Sequence, residues 1–141
     1  MADFDLPSEH LRTLAIPWSE KGESEALASA HIGIAPMPDN SWTQGKCGIK
    51  VLQYMAAGLP VVSSPVGVNR DIVEHKVTGF LAESPDEWLV AIERLIRNPD
   101  LRKIMGKKGQ KRVTEHYAID VTFRKMIRRL ESMLAGRDRS R

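Results

Sequence analysis

The sequence predicts an α/β protein: a parallel sheet with helices on both faces, closed by a helical C-terminal tail. Three observations carry this. Short apolar runs alternate with helix-spaced segments about three times between Thr13 and Ala82. The runs are continuously apolar or β-branched rather than alternating, as strands covered on both faces are. Beyond Ser84 the pattern is helical almost to the end.

Thr13 to Trp18 reads as a short strand, weakened by Pro17, which has no N–H for a ladder. Glu20 to Ala30 reads as a polar helix with Ser19 as its cap. His31 to Pro36 is an apolar run suited to a buried strand, and Pro38 to Gly45 is turn-rich and expected to be a loop. Lys46 to Ala57 carries Ile49, Leu52, Met55 and Ala56 at helical spacing, with Gly58 in the position that ends a helix. Pro60 to Ser63 is a second strand. Pro65 to Asn69 is a turn, Arg70 to Glu74 a brief helix, and Thr78 to Ala82 a third strand.

Ser84-Pro85-Asp86-Glu87 is a helix start: a Ser cap, Pro at the first position and acids in the first turn. The helix presents Trp88, Leu89, Ile92, Leu95 and Ile96 on one face. Asn98-Pro99-Asp100 ends it and opens the next, which bears Leu101, Ile104, Met105 and Val113. A last amphipathic helix spans Ile119 to Leu134, its stripe formed by Phe123, Met126, Ile127, Leu130, Met133 and Leu134. Packing of that stripe on its own domain is the first expectation.

A length of 141 residues suits one core, and 42% hydrophobic with 28% charged residues is a globular balance. The net charge of +3 hides an asymmetry: residues 1–96 sum to −6 and residues 97–141 to +9. The basic end faces an anionic partner (membrane, acidic domain or nucleic acid) or is a solvated face. The lone Cys47 excludes an intrachain disulfide and a cysteine-based zinc site. His10, His31, His75 and His116 show no metal spacing. The start MADFDLPSEH lacks the basic and apolar regions of a signal peptide, and no run approaches the ~20 apolar residues that span a bilayer. The expected location is cytoplasmic, with peripheral contact at the inner face of a membrane as an option.

Chemistry belongs at the carboxyl ends of such strands, where a loop feeds a helix. The loop before Lys46–Ala57 is long, and the helix behind it offers free N–H groups and a positive dipole end, which together suit a diphosphate. Gly48 permits close approach of a ligand to the backbone, and Lys46 and Lys50 add charge. The amide of Gln53 is placed for a ribose hydroxyl pair. The alternative is that Gly45 and Gly48 shape a turn and Gln53 is a surface residue. Trp42 either stacks on a ligand or anchors its loop. Asn69 and Arg70 either border the diphosphate or, for Asn69, cap the next helix. Trp88 reads as packing, and Asp71 as structural.

The runs Ala30-His31-Ile32-Gly33-Ile34-Ala35-Pro36 and Gly45-Lys46-Cys47-Gly48-Ile49-Lys50-Val51-Leu52-Gln53-Tyr54-Met55-Ala56-Ala57-Gly58-Leu59-Pro60-Val61-Val62 resemble the signature of GT-B glycosyltransferases of the large retaining group 1 (family 4) type. The runs Gly67–Val73, Thr78–Ala82 and Asn98–Gly106 continue the match in order, over about residues 25–135.

The resemblance implies two Rossmann-like domains, of which the C-terminal one holds a nucleotide-diphosphate sugar, without a metal or other cofactor. It implies that the backbone at Cys47, Gly48 and Ile49 faces the donor sugar and diphosphate and that Gln53 contacts the ribose; Gly45, Lys46 and Lys50 complete the expected site, with Lys50 either contacting phosphate or standing as a surface lysine. In place of the family's two glutamates, eight apart, stand Gly45 and Gln53, and Lys50 occupies a position often apolar there. No catalytic residue is assigned.

The resemblance also implies a Rossmann-like domain truncated at its N-terminal side. Residues 1–97 are then a partial nucleotide-sugar-binding domain, 98–135 helices packing on it, and 136–141 a disordered basic tail. The expected function is donor binding for sugar transfer, inactive alone. The alternative is a non-catalytic interaction module using the sheet edge or the basic final helix. Expected partners are the donor, a missing acceptor-binding domain, a homodimer mate at the sheet edge, and a membrane surface. The absent strands belong beside His31–Pro36, so that edge should be open unless a second copy or Thr13–Trp18 covers it. The last helix then docks on the acceptor domain, lies on anionic lipid, or packs at home. Nucleic acid is not an expected partner, for want of aromatic interleaving.

Overall fold

A computed structural model describes residues 14–138. The readings made for the extreme N-terminus, for His10 and Thr13, and for residues 139–141 lie outside the described residues.

Three parallel strands, β1 (Gly33–Ala35), β2 (Val61–Ser63) and β3 (Gly79–Leu81), stand in that order, with Ile34, Val62 and Phe80 in register. Helix α1 (Glu20–Ser29) leads in, α2 (Ser41–Gln44) and α3 (Ile49–Ala56) join β1 to β2, and α4 (Asn69–Ile72) joins β2 to β3. Helices α5 (Pro85–Arg97), α6 (Pro99–His116) and α7 (Ile119–Asp138) follow.

Successive residues of a strand point to opposite faces, and β2 shows what each face meets. Val62 packs with Phe80, Ala82, Ala91, Leu95 and Met105, so α5 and the first half of α6 cover one face. Val61 packs with Val51, Met55, Ile72 and Val73, so α3 and α4 cover the other, reinforced by Val113 and Tyr117 from the far end of α6. Trp88 packs against the first cluster, as its helical spacing predicts. The α/β class and the two covered faces stand as the sequence predicts.

Helix α5 has the full reciprocal start: Ser84 accepts from Glu87 N–H, while the Glu87 carboxylate accepts from the N–H of Ser84 at 3.2 Å and of Glu83 at 2.7 Å. Helix α3 ends at Ala56 with Ala57 as its C-cap, and Gly58 beyond it donates to the Met55 carbonyl. Helix α1 is capped by Ser19, which accepts from Gly22 N–H at 3.0 Å.

Four expectations are corrected. Leu14 to Trp18 is not a strand but irregular chain with exposed Leu14, Ile16 and Trp18; Pro17 cannot donate to a ladder. The Pro38–Gly45 loop contains a helical turn, because Asn40 caps Trp42 and Thr43 N–H while Thr43 Oγ1 accepts from Asn40 N–H. The final helix does not pack its stripe on its own domain. Val121 is the one part-buried residue described beyond Asp120, and the stripe of Phe123, Met126, Leu130 and Met133 lies on the opposite side of the helix, facing solvent. That helix also runs on through Asp138, so the backbone of 136–138 is helical where disorder is expected.

β1 is the edge of the sheet among the described residues, as expected. Gly33 N–H donates to Pro60 O at 3.0 Å and Ala35 O accepts from Ser64 N–H at 3.2 Å. The intervening Ile34 therefore turns its N–H and C=O to the open side.

Candidate donor site

The loop between β1 and α3 and the loop between β2 and α4 meet at the carboxyl edge of the sheet. Met37 N–H donates to Ser64 Oγ at 2.9 Å, tying one to the other. Gly67, at φ 53°, passes so close to α2 that a Cβ there would stand 2.8 Å from Gln44 O.

Helix α3 begins at Ile49, three residues later than its periodicity suggests, because Gly48 adopts φ 67°, ψ 24° and serves as N-cap without a side-chain bond. A side chain at Gly48 would be strained by that φ and would meet Ile72 Cδ1 at 2.6 Å and Asn69 Oδ1 at 2.8 Å. Sequence and packing thus both require glycine.

Among the described residues, the N–H groups of Cys47, Gly48, Ile49, Lys50 and Val51 find no acceptor. The first bond of the turn is Leu52 N–H to Gly48 O, at 3.1 Å. Five consecutive donors and the positive end of α3 converge on one stretch of chain. That stretch lines a cavity of about 420 Å³ with Gly45, Lys46, Cys47, Gly48, Ile49, Lys50, Val51, Ala35, Met37 and Asn69. Six of the seven expected site residues are thus brought together.

Gln53 is the exception. It does not line this cavity. One turn further down α3 its side chain faces Glu23 of α1, and its Oε1 is buried without a hydrogen-bond partner among the described residues. Lys50 is neither free nor simply a surface lysine: its Nζ bonds Glu23 Oε1 at 2.6 Å. The other oxygen of Glu23 accepts from Trp18 Nε1 at 3.3 Å. The Lys50 hydrogen bond, then that of Trp18, holds the Glu23 carboxyl below the usual carboxylate range. Sequence reasoning missed Glu23, since 27 residues separate it from Lys50 and α1 reads only as a polar helix.

Asn69 is no cap. Val68 holds the N-cap position of α4, and Asn69, 1% exposed, donates through Nδ2 to Ser63 Oγ at 3.0 Å while its Oδ1 stands behind Gly48. It is a buried strut between β2 and the loop that leads into α3. Arg70 gives its Nε to the Pro65 carbonyl and lines a neighbouring cavity of about 310 Å³ with Asp39, Ser64 and Glu83. Trp42 is 77% exposed, and its indole makes no hydrogen bond among the described residues.

A wider recess of about 820 Å³ lies between α4, α6 and α7. Its central cation, Arg112, is occupied structurally, donating to Ile72 O at 2.9 Å and Asp71 O at 2.7 Å and standing 3.6 Å from Glu74. The carboxyl edge is therefore the better candidate.

The family model for glycosyl transferases group 1 matches residues 16–98, which include both loops of the site. The chain belongs to this family. It is 34% identical over 88 residues to human alpha-1,3/1,6-mannosyltransferase ALG2, a match covering 62% of this chain and 21% of that protein. It is 33% identical over 88 residues to the GDP-Man:Man(3)GlcNAc(2)-PP-Dol alpha-1,2-mannosyltransferase of Dictyostelium discoideum, covering 62% of this chain and 16% of that one. The chain thus spans about a fifth of the length of the curated relatives it matches. Among solved structures, the C-terminal domain of LpcC from Francisella tularensis superposes with a TM-score of 0.62 at 19% identity, over 75% of this chain and 53% of that one. Anabaena HepE in complex with UDP gives 0.62 at 20% identity, over 77% of this chain and 29% of that one. These structures establish a shared fold, and the chain has the Rossmann-like sheet its sequence predicts. No described helix is long and apolar enough to cross a membrane.

Proposed function

We propose that this group 1 chain binds the donor of a sugar transfer, a nucleotide-diphosphate sugar, and that the cradle at Gly45–Val51 holds its diphosphate. The observation that carries this reading is the set of unspent N–H groups from Cys47 to Val51 over a cavity whose charge comes from a helix start, Lys46 and Lys50. That HepE is solved with UDP and with UDP-glucose is in keeping with a nucleotide at this edge. The dipole end and Lys46 neutralise the diphosphate without a metal. Gly45 contributes no carboxylate and Gln53 is turned to Glu23, so the chain alone performs no transfer. The acceptor comes from a separate domain, for which the solvent-facing stripe of α7 is the docking face.

Titration of the chain with UDP, GDP and ADP, followed by amide NMR shifts in EDTA and in magnesium, tests this. The expected result is binding of at least one of them, with the largest shifts at Cys47–Val51 and the same affinity in both buffers. Absence of shifts at these amides with all three nucleotides overturns the reading.

A further inference from the structure

The cavity explains where a diphosphate sits and leaves unexplained what receives the nucleoside attached to it. Lys50 lines the cavity, and its Nζ is bonded to Glu23 Oε1 at 2.6 Å. Glu23 Oε2 accepts from the indole of Trp18 at 3.3 Å. One carboxylate therefore joins the wall of the phosphate cradle to an aromatic ring. The ring is held by its N–H edge and is 74% exposed. Trp18 directly precedes Ser19, the cap of α1, so its backbone is fixed by that helix start. A solvated indole tethered by its edge keeps its faces free for a flat ring.

Neither Trp18 nor Trp42, the other exposed indole near the site, lines the cavity itself, and the Trp42 ring lacks such a tether among the described residues. Trp88 packs against the core. Trp18 is thus the one indole among the described residues that is both open to solvent and linked to the cradle.

We propose that Trp18, positioned by the Glu23–Lys50 pair, is the stacking platform for the nucleobase of the donor, with the Glu23 carboxylate and Lys50 flanking the ribose. This rests on the donor reading above and adds the residues that hold the nucleoside. Stacking on an aromatic side chain tolerates any base. The platform therefore supplies affinity for the nucleoside and leaves the choice of base to other contacts.

The test compares two probes, inorganic pyrophosphate for the cradle alone and the nucleoside diphosphates UDP, GDP and ADP for cradle plus nucleoside, in the full chain by calorimetry. Trp18→Ala is expected to weaken the nucleotide that binds best by about tenfold and to leave pyrophosphate within about twofold. Trp18→Phe should keep most of the affinity, and Trp42→Ala all of it. Glu23→Gln should fall between wild type and Trp18→Ala. Thermal melts of each variant within about 2 °C of wild type confirm an intact fold. If Trp18→Ala leaves nucleotide affinity within twofold of wild type, or lowers pyrophosphate and nucleotide alike, or if Trp42→Ala gives the loss instead, the platform is overturned and the donor reading stands. If wild type binds neither pyrophosphate nor any of the nucleotides, the donor reading itself falls.

Discussion

Helices α6 and α7 have much in common: both are long, basic and exposed along most of their length. They relate to the body in opposite ways. Helix α6 buries Met105, Gly106 and Gly109 and touches the apolar clusters on both faces of the sheet. Among its described residues helix α7 contributes a single part-buried residue, Val121 in its first turn, and turns its apolar stripe to water. The difference is one of side-chain size. Helix α6 approaches through glycines, so backbone meets backbone, with Gly106 against the Gly58 carbonyl and Gly109 against Met55. Helix α7 carries its bulk on the far side, where this chain offers nothing to receive it. Amphipathicity states that a helix has a partner and does not state which.

The sharpest way to break the comparison is to deny α6 its approach. A Cβ on Gly106 would overlap the carbonyl oxygen of Gly58, a backbone atom that cannot swing aside. Gly106→Val is therefore expected to cost about 3 kcal/mol or more, at the upper end of overpacking effects, because α6 must lift off α3. Chemical denaturation reads it directly. A loss below about 1 kcal/mol means that α6 is not keyed by its glycines.

Next in size is the latch at the other end of α6. The Arg112 guanidinium satisfies two carbonyls at the end of α4, those of Ile72 and Asp71. Arg112→Ala should cost about 1.5 kcal/mol, largely from leaving those carbonyls without donors. Its side chain is 29% exposed, so water offsets part of the loss, and the Glu74 pairing adds little. Arg112→Lys, with a single donor centre, should recover less than half.

A smaller effect separates α5 from both. Ser84→Ala should cost about 1 kcal/mol through the lost cap. The partner in that cap gives a pH signature. The Glu87 carboxyl is held below its usual range, first by the N–H of Glu83 and then by that of Ser84. A depressed carboxyl stabilises the fold above its ordinary pKa near 4.5 and loses that contribution as pH falls through the lower folded value. The gap in melting temperature between wild type and Glu87→Gln should therefore be full at neutral pH and shrink as pH falls below 4.5. A gap that is the same at pH 3 and pH 7 contradicts this.

These helices also mark what was legible in the sequence. The start of α5 could be read to the residue, since Ser84, Pro85 and Glu87 act within one turn. The three strands were legible because β2 is buried on both faces and its composition records that. The start of α3 was misplaced, because a left-handed Gly48 looks the same in sequence as any turn glycine. Asn69 could be read either as bordering the ligand or as a cap, because its partner Ser63 lies at the end of a neighbouring strand and leaves no local signal. The Trp18–Glu23–Lys50 chain could not be read at all, because it depends on a bond between side chains of α1 and α3 that are 27 residues apart. Six of the seven expected donor residues share one cavity since they are contiguous; Gln53 lies on the same side of α3 as Lys50 but one turn further from the helix start, out of the cavity's reach.

The smallest expected effect is the most informative about α7. Leu130 is 49% exposed in the middle of the stripe, with Phe123, Met126 and Met133 beside it. If the stripe faces water, Leu130→Ser removes little buried surface, and the loss is mainly helix propensity, about 0.5 kcal/mol. The same substitution in a packed helix costs several times more, as Leu95 in α5, fully buried, would show: Leu95→Ala should cost about 3 kcal/mol. The pair of measurements separates the two ways a leucine can sit on an amphipathic helix. A large loss at Leu130 would place the stripe against the body and bring α7 into line with α6. A negligible loss there leaves the stripe free for the acceptor domain proposed above, and the variant should then weaken that docking while leaving nucleotide affinity, set at the far loop, unchanged.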